Sequence, residues 1–169
     1  MKKISKRNEV FLALFKSILW PAVKTTSNKK YDIPEETLKL MEEQRNNKES
    51  SIFYVGPHKS MWETIGLPYT ISWHGGDIPF ALMGNNLLKK ETGRKEQVLK
   101  YFVERIGGIM VEREVNPHAA ILSLIDSVSE LLINKRNVMV FPEGTRSRDG
   151  LVHAFKPATF QGAIDAAIK

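Results

Sequence analysis

The hydrophobic pattern changes period repeatedly along this chain, and each change marks an element. Val10–Val23 (VFLALFKSILWPAV) sets Val10, Phe11, Leu14, Phe15, Ile18 and Leu19 on one broad helical face. Pro21 is expected to end that helix, and the polar residues 24–30 read as a linker. Pro34 at a first helical position, with Glu35 and Glu36 in the first turn, opens a second, mostly charged helix that fades near Asn46–Asn47. A β-rich run, Ser51–Gly56, precedes a helix from about Met61 to Ser72 and a turn at Trp73–Asp77. Pro79–Met83 is a candidate buried strand. From about Lys95 a helix turns Val98, Leu99, Phe102 and Val103 inward, within the basic segment Asn85–Arg105. Gly107–Arg113 reads as a turn and then a strand ending in Glu112-Arg113. Asn116 as N-cap and Pro117 at the first position launch a helix with an apolar stripe through Ile121, Leu122, Leu124, Ile125, Val128, Leu131 and Leu132. Asn137–Phe141 is a further strand running into Pro142–Ser147, and Phe155-Lys156-Pro157 introduces a last helix that reaches Lys169.

Strands that alternate with helices predict an α/β domain: a mixed, mostly parallel sheet covered by helices, preceded by an N-terminal amphipathic helix. The 169 residues suit one domain with a real core, and residues 1–30 form a distinct N-terminal segment. That segment joins a basic head, MKKISKR, to an apolar run too short to span a bilayer and interrupted by Lys16. No small-residue cleavage site of a secretory signal follows it. An interfacial helix whose basic residues meet anionic headgroups fits this pattern; a helix packed on its own domain is the alternative.

The formal net charge of +6 admits an anionic partner: nucleic acid, an acidic lipid surface or phosphorylated small molecules. The chain offers no interleaved aromatic–basic platform and no docking motif, so no nucleic acid is expected. With no cysteine there is no disulfide, no thiolate zinc site and no cysteine nucleophile. No metal is implied either, because His58 and Glu63 lack further ligands at metal spacing.

The candidate chemistry begins at the end of the first strand. Pro57 closes the run, His58 enters a loop, and Glu63 lies five residues further on. A neutral imidazole oriented by a carboxylate takes a proton from an alcohol near neutral pH. A surface histidine in a strand-to-helix turn would have the same spacing. Arg113 and the Glu143–Arg146 loop also fall at strand C-terminal ends, where open α/β sheets bind ligands. Phosphate is gripped well by a guanidinium and by loop N–H groups, and Gly144 allows close backbone approach.

Three blocks, His58–Glu63, Gly107–Arg113 and Phe141–Ser147 (FPEGTRS), stand in the order found in the glycerophospholipid acyltransferases, and over Ser51–Ala167 the chain resembles that family. The third block matches completely and the second in type. The resemblance implies that His58 is the general base for an acceptor hydroxyl, that Glu63 orients it, and that Arg113, Glu143, Gly144, Thr145 and Arg146 bind the acceptor's glycerol and phosphate. It implies acyl transfer from acyl-CoA or acyl-carrier protein, with no bound cofactor and no acyl-enzyme intermediate. The acceptor would be a lysophospholipid such as 1-acyl-glycerol-3-phosphate, and the setting an anionic phospholipid membrane surface on the cytoplasmic side. Residues 31–169 would form the acyltransferase domain. The chain departs from the pattern in having glutamate for the usual aspartate at Glu63, Pro57 for an asparagine, Met110 for an aromatic residue, Glu112 for aspartate and Ala158 for a glycine. The family's fourth block has no counterpart before Lys169, so the C-terminal part of the family fold is expected to be missing. A non-catalytic, lipid-binding relative is the alternative reading.

Overall fold

A computed structural model describes residues 7–26, 33–59, 61–84, 93–111 and 116–169. Its elements are α1 (Glu9–Thr26), α2 (Glu35–Asn46), β1 (Phe53–Val55), α3 (Met61–Trp73), β2 (Phe80–Gly84), α4 (Arg94–Arg105), β3 (Gly108–Val111), α5 (Pro117–Ile133), β4 (Val138–Val140) and α6 (Ala158–Ile168). The strands form one four-stranded sheet in the order β1-β4-β2-β3, and every pairing is parallel. The last strand in sequence thus lies between the first and the second: Phe53 faces Val138 on one side, and Phe80 faces Val138 on the other.

This position explains the sequence of β4. Val138, Met139 and Val140 are all almost fully buried, as expected of a parallel strand covered on both faces. The main core joins Val138 and Val140 to Phe80 of β2 and to Val128, Leu131 and Leu132 of α5, with Ala163 and Ala166 of α6 packed against it. Gly162 is what lets α6 lie this close to α5. A Cβ there would stand 2.7 Å from the Ile125 carbonyl oxygen and 2.8 Å from Val128 Cβ. Elsewhere, Gly76 is closed in by Met41 of α2 and Ile71 of α3. α5 begins as its sequence predicts, the Asn116 side chain accepting a hydrogen bond from the Ala119 N–H.

α1 corrects two expectations. The helix continues through Pro21 to Thr26 rather than ending there, because proline removes a single backbone donor and the rest of the ladder can carry the helix on. Its apolar face also divides. Leu12 is buried, and Phe11 and Phe15 meet Phe102 of α4 edge-on, with ring centroids 5.4 and 4.9 Å away. Val10, Leu14 and Ile18, one step around the helix, are exposed. Arg7 pins the start of α1 to the sheet: its Nη1 donates to the Ile78 carbonyl at 2.6 Å, and its guanidinium lies over the Phe80 ring. The helix therefore has one apolar face packed on the domain and one open to solvent.

Two further differences are smaller. Val98 is 62% exposed rather than inward, because Phe102 and Val103, on neighbouring faces of α4, take the inward positions. α2 keeps a charged outer face but buries Met41 and Gln44. Among the described residues no helix is long and apolar enough to cross a membrane.

Candidate active site

The ends of β1 and β4 are adjacent in the sheet, and the loops that leave them are tied together. After Val55, Gly56 still donates to the Val140 carbonyl at 3.2 Å, which carries the parallel pairing one step past the strand. His58 follows with its backbone engaged on both sides. Its N–H donates to Glu143 Oε1 at 3.0 Å, and its carbonyl accepts from the Ser147 N–H at 2.7 Å. Its imidazole stacks on Phe141, with centroids 4.5 Å apart and planes 24° from parallel. The His58 loop and the Phe141–Ser147 loop thus form one unit, although 85 residues separate His58 from Glu143.

Within that unit the residues divide by exposure. Glu143 is only 3% exposed, and Pro142 and Ser147 are buried with it. Thr145 and Arg146 are exposed, and Arg146 has no ion-pair partner among the described residues. Its guanidinium is therefore not consumed by Glu143 or Asp149. Glu143 uses one oxygen on the His58 N–H; the other, Oε2, is buried with no hydrogen-bond partner among the described residues. Gly144 turns the chain at φ +72°, a region that favours glycine, and its N–H donates to the Phe141 carbonyl at 2.9 Å. The Lys156 side chain lies directly over this glycine, with Cδ and Nζ 3.1 Å from where a Cβ would be. Lys156 is anchored there by its own N–H, which donates to the Pro142 carbonyl at 2.8 Å.

Ser147 opens a second small network. Its hydroxyl donates to Asp149 Oδ1 at 2.7 Å, the Leu151 N–H donates to the same oxygen at 3.0 Å, and His153 Nε2 lies 3.0 Å from it. The Ser147 hydroxyl first, and then the Leu151 amide, hold the Asp149 carboxyl down at about 2, below its ordinary 3.8. A carboxyl depressed on folding contributes fully above its ordinary value and loses that contribution as the pH falls through the folded one. The 147–151 turn should therefore hold at pH 5 and above, by order of magnitude, and loosen only toward the folded value. Hydrogen exchange at the Leu151 amide measures this; an amide equally protected on both sides of the transition, or already open in the Asp149 carboxylate form, contradicts it.

The other residues predicted for the site are placed unevenly. Glu63 stands in the first turn of α3, half-buried, at the helix end whose dipole favours a carboxylate. Arg113 lies outside the described residues. His74 is exposed in the turn before β2, in keeping with a turn and not a second acid–base pair. Sequence reasoning missed the roles of Phe141, Ser147 and Lys156. Phe141 and Ser147 lie inside the recognised block, but Lys156 had been read only as the approach to a helix. Among the described residues no three His, Asp or Glu side chains are grouped to hold a metal ion.

An imidazole at a strand end, a buried carboxylate bonded to its backbone N–H and exposed cations on the adjoining loop can together take a proton from a hydroxyl and hold an anionic group near by. A family model described as Acyltransferase matches residues 37–169. No curated protein matches the chain.

Proposed function

The chain belongs to the glycerophospholipid acyltransferase family, and from that premise we propose that it moves a fatty acyl chain from acyl-CoA or acyl-carrier protein to the hydroxyl of a lysophospholipid. His58 takes the proton from the acceptor hydroxyl, the oxygen attacks the thioester carbonyl, and the C–S bond breaks. The leaving thiolate recovers the proton from the imidazolium, so no acyl-enzyme forms and no cofactor is needed. Glu63 orients the imidazole. Glu143, Gly144, Thr145 and Arg146, with Arg113, bind the glycerol and phosphate of the acceptor, for which 1-acyl-glycerol-3-phosphate has the fitting charge.

One observation carries this reading. The loop bearing His58 and the loop bearing Glu143–Arg146 are joined by two hydrogen bonds and a ring stack, so the base and the cationic loop keep a fixed relation. The buried Glu143 Oε2 gives a second support, since a glycerol hydroxyl is a donor it could satisfy. The exposed Val10, Leu14 and Ile18 stripe of α1, close in sequence to the basic head, supports work at an anionic membrane surface.

The test is acyl transfer from labelled palmitoyl-CoA to lysophosphatidic acid and lysophosphatidylcholine, with the natural chain and Glu63→Asp side by side. The expected result is transfer by the natural chain, with lysophosphatidic acid preferred. Transfer only after Glu63→Asp would mean that the longer acid has detuned the pair. Silence of both proteins with either acceptor would overturn the proposal in favour of a lipid-binding relative.

A further inference from the structure

Beside the site the chain exposes a loop whose composition the reaction does not require. Leu151 is 65% exposed, Val152 50% and Phe155 50%, so three large apolar side chains within five residues face solvent. The loop is nevertheless fixed. The Asp149 carboxylate gathers the Ser147 hydroxyl, the Leu151 N–H and His153 at one end. At the other end the Lys156 N–H is bonded to the Pro142 carbonyl, and Phe155 stacks on Phe160 of α6 with centroids 6.2 Å apart. A loop held so firmly does not expose its apolar side chains through disorder.

Its flanks are basic. Between Gly144 and Pro157 the charged residues are Arg146, Arg148 and Lys156, all exposed, and one acid, Asp149, whose Oδ1 is turned into the loop's own hydrogen bonds. Lys59 is also exposed, next to His58, whose carbonyl accepts from the Ser147 N–H. An apolar tip ringed by cations matches the order of layers in an anionic bilayer, with acyl chains beneath negative headgroups. An acidic protein partner would account for the cations but not for a protruding apolar tip.

We infer that the Gly150–Phe155 loop inserts into an anionic bilayer, with Arg146, Arg148 and Lys156 at the headgroup level. This contact is separate from that of α1 and sits against the site itself, since Lys156 covers Gly144. A bilayer-borne hydroxyl would then reach His58 without its acyl chain leaving the lipid. The inference extends the acyltransferase reading but does not use turnover as its readout.

The absence of cysteine makes a site-specific probe direct. Val152→Cys in the full chain carries an environment-sensitive fluorophore, and Lys48→Cys, in the exposed turn before β1, carries the same label as a control. Both are mixed with vesicles of equal parts phosphatidylglycerol and phosphatidylcholine, and with phosphatidylcholine alone. The label at 152 should brighten and shift to the blue with anionic vesicles, much less with neutral ones, while the label at 48 stays unchanged. In co-sedimentation, Leu151→Asp/Val152→Asp should lower binding to anionic vesicles by about tenfold, with an unchanged thermal melting curve showing that it folds. Vesicle binding with no change at 152, equal changes at both labels, a response only to an acidic carrier protein, or no vesicle binding at all would each overturn the inference. Loss of acyl transfer alone would leave it standing, and failed insertion would leave the acyltransferase reading standing.

Discussion

His58→Ala lowers acyl transfer by about 10²–10⁴-fold, the range that a positioned general base contributes. The structure makes this an unusually clean substitution. Two hydrogen bonds that hold the residue come from its backbone: the N–H donates to Glu143 and the carbonyl accepts from Ser147. Alanine keeps both. Among the interactions lost with the imidazole is its stack on Phe141, worth about 0.5–1.5 kcal/mol beyond area burial. Activity should therefore collapse while the protein stays folded, and a urea titration beside the transfer assay separates the two. Retention of full transfer by a folded His58→Ala protein would remove the base from the mechanism. A large loss of stability would instead mean that the ring serves mainly to pack the loop.

Glu143 is the second position where a large effect is expected, and here stability and activity fall together. Glu143→Ala leaves the part-buried His58 N–H without its acceptor, at a cost of about 1–3 kcal/mol. It also removes one of the two hydrogen bonds that join the His58 loop to the cationic one. A displacement of the base by about 1 Å is enough to cost about 10²-fold in rate. Glu143→Gln separates the contributions, because its amide oxygen can still accept from His58 while the charge is gone. The expected order of stability is natural chain, then Gln, then Ala, with transfer reduced most in Ala. Denaturant unfolding and kcat/KM on the same three proteins check this. An alanine variant unchanged in both would show that the Oε1 contact carries neither fold nor function.

Much of this was legible in the sequence, and the reasons differ from residue to residue. Asn116-Pro117 is a local signal: the cap acts within three residues, so the start of α5 can be read without knowing what it packs on. The continuous apolar run of Val138–Val140 likewise announces a strand buried on both faces. The failures occur where distant parts of the chain decide. Pro21 has a strong local preference to end a helix, yet α1 runs on past it. Val98 fits an inward stripe by spacing, but Phe102 and Val103 take the inward positions. In the site, the block Phe141–Ser147 was visible as a pattern. That one oxygen of Glu143 is committed to the His58 backbone was not, because nothing in either segment alone specifies a contact across 85 residues. Lys156 was overlooked for a similar reason: its place over Gly144 depends on the turn of the chain between them.

The strand order has a bearing on how the protein comes to be folded. Among the described strands β1 pairs with β4 alone, and β4 also joins β1 to β2, so that sheet is two separate pieces until residues 138–140 arrive between them. On a ribosome, β2 and β3 can meet early, but β1 must wait for residues 138–140 with its N–H and C=O groups unpaired. Contacts closing so long a stretch of chain are entropically slow, so joining β1 to β4 should be a late event in folding. The loops of the candidate site leave that very seam. The candidate site therefore cannot assemble on a nascent chain before residues 138–147 have been made, and a misfolded intermediate would expose the edge of β1 to other chains.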